Sequence, residues 1–191
     1  MKIYVVRHGE TECNKLGIFT GPDEPLNDLG RAQAADMGKA LEDKAFNAIY
    51  SSPFLRAHET AEIIMKHNKL GGKIILDEKI REIDTGDYAR LGITLAEAHA
   101  RFKELQKQNP DVKSWPNAEF GEKAFARVGA FLDDLKRNHK KDEKILIVCH
   151  GGIMRTIYTI FNPNPADEDP YAYTGPTVAN ATIAEYILES K

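Results

Sequence analysis

The sequence predicts an α/β layer fold with a mainly parallel sheet. Short β-branched apolar runs alternate along the chain with stretches of helical periodicity. A length of 191 residues suits one domain, able to bury about 70% of its extended surface without disulfide or metal support. Apolar residues make up 42% and charged residues 29%, a balance that excludes global disorder.

Ile3–Val6 reads as a first buried strand. A helix over 30–43 places Ala34, Met37 and Leu41 on one face. Phe46–Tyr50 is a second strand, and Ser52-Pro53 then suits the cap and first position of a helix carrying Ala57, Ala61, Ile64 and Met65. Gly71-Gly72 breaks the chain before a third strand at Lys73–Leu76. A helix over 94–108 aligns Leu95, Ala98, Phe102 and Leu105 and ends at Asn109-Pro110. Another over 121–138 aligns Phe125, Val128, Leu132 and Leu135. Ile145–Cys149 is the most β-branched run, and Gly151-Gly152 leads into a helix with Met154, Ile157, Tyr158 and Phe161 on one face. Residues 162–176 hold four prolines and read as a loop, and Thr182–Leu188 is a last strand. The whole of 1–191 is expected to form one domain, with excursions at about 77–120 and 162–176 over one end of the sheet.

A formal net charge of −3 lacks the basic excess of a nucleic-acid binder. Cys13 and Cys149 are too few for a secreted disulfide framework or a four-cysteine metal site. The apolar run at the N-terminus stops at Val6, too short for a signal peptide, and no stretch approaches a membrane span. A reducing, cytoplasmic setting is the expectation.

Ligands of open α/β sheets bind beyond the carboxyl ends of the strands. The first strand is followed by Arg7-His8-Gly9-Glu10-Thr11, the second by Ser51-Ser52-Pro53-Phe54-Leu55-Arg56, the third by Arg81-Glu82 and the fourth by His150-Gly151-Gly152. Two histidines, two or three arginines and a glutamate thus gather from four places. Two arginines in one pocket repel unless an anion sits between them, and the guanidinium fork matches phosphate oxygens. Arg56 falls in the first turn of its helix, whose dipole favours the same ligand. The expected ligand is a phosphoryl group. Neutral imidazole is a good nucleophile at pH 7, and fixed cations can stabilise the transferring group's oxygens without a metal. A carboxylic acid opposite it can protonate the leaving alkoxide and later activate water, with Glu82 and Glu10 as candidates.

Arg7-His8-Gly9-Glu10-Thr11 resembles the signature of the histidine phosphatase superfamily, also called the phosphoglycerate-mutase-like family. The other motifs follow in the family's order. They are Asn14; Thr20-Gly21 with Pro25-Leu26 and Gly30-Arg31-Ala32-Gln33; Ser51 to Ala57 with Thr60-Ala61; Arg81-Glu82-Ile83-Asp84 with Gly86; Val148 to Gly152 with Arg155; and Asn180. The resemblance covers nearly the whole chain. It implies a three-layer α/β/α arrangement, a phosphorylated His8, and phosphoryl oxygens held by Arg7, Arg56 and His150. Asn14, Thr20 and Gly151 would be further substrate contacts, and Glu82 the proton donor. It implies neither metal nor organic cofactor, and a small phosphorylated metabolite as partner rather than nucleic acid or membrane; it leaves the oligomeric state open.

The chain departs from the family at Gly86-Asp87-Tyr88-Ala89-Arg90-Leu91-Gly92, which lacks the usual glutamate, and at Ala118-Glu119-Phe120 in place of Gly-Glu-Ser. Ile18 stands where many phosphatase members carry arginine. Mutases carry Glu-Arg-His-Tyr-Gly where this chain has Glu82-Ile83-Asp84-Thr85-Gly86, so groups that would attract a substrate carboxylate are missing. These differences favour a phosphomonoesterase, with a phosphoglycerate mutase and a non-catalytic phospho-ligand binding module as alternatives. His58-Glu59-Thr60-Ala61-Glu62 is not a zinc-hydrolase motif. Cys149 is expected as a core residue, and His67, His99 and His139 as solvated surface groups. Trp115 and the Tyr171/Tyr173 loop are candidates either for the substrate entrance or for surface packing.

Overall fold

The structure, a computed structural model, describes residues 1–19, 21–67, 72–112, 115–119, 121–163 and 176–189. Among the described residues five strands are formed: β1 (Lys2–Arg7), β2 (Ala48–Ser51), β3 (Ile74–Leu76), β4 (Lys144–Cys149) and β5 (Ile183–Ile187). They make one sheet in the order β3-β2-β4-β1-β5, parallel except that β5 runs antiparallel to β1. Thr20, residues 68–71 with Gly71, Phe120 and residues 164–175, with Tyr171 and Tyr173, lie outside the described residues.

Alternation along the central strands sorts the core onto two faces. Ile3, Val5, Ile145 and Ile147 pack with α5 (Glu122–Asn138) and α6 (Gly151–Phe161), through Val128, Leu132, Ile153 and Ile157. Tyr4, Val6, Leu146 and Val148 pack with α2 (Asp28–Ala40) and α3 (Leu55–Met65), through Ala34, Met37, Ala61 and Ile64. The result is the expected three-layer α/β/α architecture. Cys149 is fully buried on the first face, as read from the sequence.

Helix ends differ from expectation where side chains decide them. The Asn27 carboxamide oxygen accepts from Gly30 N at 2.8 Å, so α2 starts at Asp28 rather than 30. Ser52-Pro53 does not cap α3, which opens two residues later from Phe54. The Ser52 hydroxyl is engaged with Phe54 N at 3.2 Å and His150 Nε2 at 2.8 Å instead. His139, expected to be solvated, lies between the Tyr50 hydroxyl at 2.9 Å and Glu143 at 2.6 Å.

The register brings the strand ends level. Arg7 pairs with Cys149 and Ser51 with Val148, and His8 N and Ser52 N each extend the ladder onto β4 at 3.0 Å. Arg7-His8, Ser51-Ser52 and Cys149-His150 therefore emerge side by side. Two short pieces face this edge. One is α1 (Glu12–Leu16), capped by Thr11. The other is a satellite over 84–119 containing α4 (Leu95–Gln108), with a capping box from Thr94 and Glu97 and a small core of Tyr88, Ala98 and Trp115. Among the described residues no helix is long and apolar enough to cross a membrane.

Candidate active site

Beyond the level strand ends lies a cavity of about 530 Å³. His8 lies at its floor and is only 2% exposed. Its Nδ1 lies 2.7 Å from the Gly9 carbonyl oxygen, and its Nε2 lies 3.1 Å from Arg56 Nε. A carbonyl can only accept and a guanidinium can only donate. Both contacts therefore select one tautomer, with the proton on Nδ1 and the lone pair on Nε2. Burial, with the charges of Arg56 and Arg7, holds this imidazole well below its ordinary pKa of 6.5. His8 is neutral at pH 7.

The backbone that holds the ring is tightly crossed. A Cβ on Gly9 would stand 2.3 Å from the Gly30 carbonyl oxygen, and one on Gly30 would stand 2.1 Å from that of Glu10. Only glycines allow the two chains this approach. Gly9 N donates to the Thr60 hydroxyl at 3.2 Å, and that hydroxyl donates to the Arg56 carbonyl at 2.7 Å. The turn carrying His8 and the helix turn carrying Arg56 are thus joined directly.

Arg56 is 2% exposed, donates to the Gly21 carbonyl at 2.7 Å, and has its pKa lowered to about 10, chiefly by burial; it remains a cation at neutral pH. Arg7 bonds the Val178 carbonyl, while its Nε is buried without a partner. His150 is fully buried, with its ring centroid 5.1 Å from that of His8. Burial first, then Arg56, hold it neutral too, and its Nδ1 has no partner. Buried donors and cations left unpaired at one spot are what an anion site needs.

Glu82 lines the same cavity. One carboxylate oxygen accepts from Ile83 N at 2.9 Å, the other from Gly152 N in the first turn of α6 at 3.4 Å. A Cβ at Gly152 would come 2.6 Å from that carboxylate, so the glycine keeps the space clear. Asn14 also lines the cavity, and its carboxamide oxygen accepts from Asn180 Nδ2 at 3.0 Å. Asn180 donates as well to the His8 and Gly9 carbonyls, both at 3.2 Å, so this late residue fixes the backbone that carries His8.

The other sequence candidates fall elsewhere. Glu10 turns away and accepts from Asn27 Nδ2 at 2.9 Å, outside the cavity lining. Its neighbour Gln33 takes the Glu10 N–H. Arg81 points to Glu119 at 2.9 Å. A Cβ at Gly151 would meet the Arg7 guanidinium at 3.4 Å, and it is Gly152 that lines the cavity. Cys13 stands beside Glu24, and burial with that carboxylate raises its thiol pKa to about 11, so it is no thiolate.

Sequence reasoning missed how the outer wall is built. Arg127 grips both oxygens of Glu119 at 2.8 and 2.9 Å, and also bonds the Lys79 and Arg81 carbonyls at 2.8 and 3.0 Å. Glu119 N donates to Asp84 O at 2.7 Å, so this network clamps the segment that carries Glu82. Ile18, Phe19, Ile83, Leu95 and Trp115 complete the wall. Trp115 was an entrance candidate, and Ile18 and Ile83 stood out as departures from the family pattern; Phe19 and Leu95 carried no signal, because apolar residues in loops resemble ordinary packing.

Comparison with known proteins agrees with this geometry. Residues 3–186 match the model of the histidine phosphatase superfamily (branch 1). The chain is 34% identical over 170 residues to phosphoglycerate mutase-like protein 4 of Arabidopsis thaliana, spanning 85% of this chain and 72% of that one. It is 28% identical over 162 residues to phosphoserine phosphatase 1 of Hydrogenobacter thermophilus, spanning 83% and 74%. Among solved structures, phosphoserine phosphatase of Entamoeba histolytica in complex with 3-phosphoglyceric acid superposes with a TM-score of 0.75 at 27% identity, covering 97% of this chain and 90% of that one. This chain belongs to branch 1 of the histidine phosphatase superfamily.

Proposed function

We propose that the protein is a phosphomonoesterase that works through a phosphohistidine on His8. The observation that supports this most is the His8 tautomer: a neutral ring with its Nε2 lone pair set against the buried Arg56, in a cavity that Arg7 also lines. The phosphoryl group binds between Arg7, Arg56 and His150, with Asn14 as a further contact. With the Ser52 oxygen already accepting from Phe54 N, its hydroxyl proton is assigned to His150 Nε2, and the ring proton to Nδ1, the atom without a partner, where it bonds a phosphoryl oxygen. As the Arg56 Nε–H turns from His8 Nε2 to a phosphoryl oxygen, the freed lone pair attacks phosphorus and the P–O bond to the alcohol breaks. Glu82, in its acid form, gives its proton to the leaving oxygen. In the second half, water attacks phosphorus, Glu82 takes back a proton, and the N–P bond breaks to release phosphate and free His8. The arginines stabilise the equatorial oxygens in both halves.

The substrate is a small phosphorylated metabolite, and the setting is the cytoplasm, consistent with two cysteines left as free thiols. Neither nucleic acid nor membrane is needed as a partner. The test is a panel of phosphomonoesters, with 3-phosphoglycerate and the bisphosphate primer as one arm. Released phosphate and little 2-phosphoglycerate are expected. Fast interconversion of the phosphoglycerates would make the protein a mutase, and no turnover with retained phosphate binding would make it a binding module.

A further inference from the structure

The cavity has two halves of opposite chemistry. Its inner half carries His8, Arg7, Arg56, Asn14 and Glu82. Its outer half, among the described residues, is lined by Ile18, Phe19, Ile83, Leu95 and Trp115, with Thr85 as the polar exception. No charged side chain stands among these outer residues. The remaining cation of the cavity, Arg155, comes from α6, the helix whose Gly152 faces Glu82.

The apolar half is preformed. The Trp115 ring takes edge contacts from Phe19 at 5.5 Å, Tyr88 at 5.6 Å and His99 at 5.4 Å. Ile18 pairs with Thr94 in an antiparallel bridge, and Leu95 N donates to Gly17 O at 3.0 Å. The loop after α1 and the start of α4 are thus tied together across the entrance. A charged substituent on the departing alcohol would shed water against this wall without gaining a partner. An apolar substituent gains from the same burial, most of all a ring that can meet the indole.

We infer that the site selects phosphomonoesters whose alcohol carries an apolar or aromatic body, with Trp115, Phe19 and Leu95 as the specificity-determining residues. This rests on the phosphatase reading above. The volume suits it: about 530 Å³ holds a phosphoryl group and a ring-sized substituent.

The experiment compares kcat/KM for 2-phenylethyl phosphate with O-phosphoserine and 3-phosphoglycerate. Phenylethanol is a poorer leaving group than the serine hydroxyl, so a preference for its ester reports the wall and not the bond being broken. A preference of about tenfold or more is expected. Trp115→Ala should shrink that ratio about tenfold. Leu95 is 47% exposed in the first turn of α4, so Leu95→Lys spares the core and should shrink the ratio by about threefold or more, even if Trp115→Ala fails to fold. Equal or faster turnover of phosphoserine or 3-phosphoglycerate overturns the inference while leaving the phosphatase reading intact. Loss of that turnover in Arg155→Ala would then assign the second anion to Arg155. Absence of any ester hydrolysis overturns both.

Discussion

The floor and the outer wall of the cavity are built by different means. The floor residues follow directly on β1, β2 and β4, and strand pairing fixes their spacing: Arg7 against Cys149, Ser51 against Val148. The wall comes from α1's trailing loop and the 84–119 satellite, which hang on a bridge, a few aromatic edges and one ion-pair network. A hydrogen-bonded ladder holds atoms more rigidly than edge contacts between loops. The difference teaches that this fold separates the chemistry, which needs accurate placement, from the choice of ester, which needs a surface of suitable character.

The sharpest way to break the comparison is at the floor. His8→Ala should lower kcat by at least about 10³-fold for every ester and abolish acid-labile phosphoenzyme in a rapid-quench experiment. Residual phosphoenzyme at another residue would move the nucleophile elsewhere. Glu82→Gln should slow alkyl esters about 10²-fold, and slow aryl esters much less in the first step, because a phenolate needs little help to leave. Equal losses for both would remove Glu82 from proton donation.

The wall should respond differently. Glu119→Ala removes the carboxylate that Arg127 and Arg81 share beneath the satellite and should reduce stability by about 1.5–3 kcal/mol in urea titration. It should also alter the ratio between esters more than it alters the yield of phosphoenzyme. A uniform loss across esters would show that the clamp serves only Glu82.

The smallest effect is on stability against pH. His8 and His150 titrate near 6.5 when unfolded and well below it when folded, burial being the main cause for both. Between those values the unfolded chain binds protons that the folded chain does not, so stability rises with pH. It is fully present above 6.5 and is lost as pH falls from there toward the folded values. The Tm should decline from pH 7 to 5.5, and less steeply in His8→Ala than in the parent. Parallel declines would mean that His8 is not neutralised by folding.

Much of the floor was legible because each residue sits next to a recognisable strand. Arg7-His8 after Val6, and His150 after the Ile145–Cys149 run, needed only the rule that ligands gather at strand ends. Glu82 needed the family motif as well, since β3 is just three residues long. Glu10 and Arg81 carried the same kind of signal and were misleading. A charged residue after a strand can face the cavity or the flank, and one rotation of the backbone separates the two outcomes. The wall was less visible: Ile18 and Ile83 showed only as departures from the family pattern, and Phe19 and Leu95 look like any apolar residues next to a helix end.

What the sequence by itself determined is local and periodic. The strands, the helices that cover them, the Gly9 and Gly30 positions and the charged groups following each strand come from residue size, side-chain alternation and turn chemistry over a few neighbours. What only the tertiary structure decided is which polar atoms meet across long separations. Asn180 on the His8 carbonyl, Thr60 on Gly9, and Arg56 against His8 Nε2 are spaced by 172, 51 and 48 residues. The packing of the layers sets those distances, and the imidazole's tautomer and charge are settled there, because a proton is placed by whatever donor and acceptor lie within 3 Å or so, irrespective of where they stand in the chain.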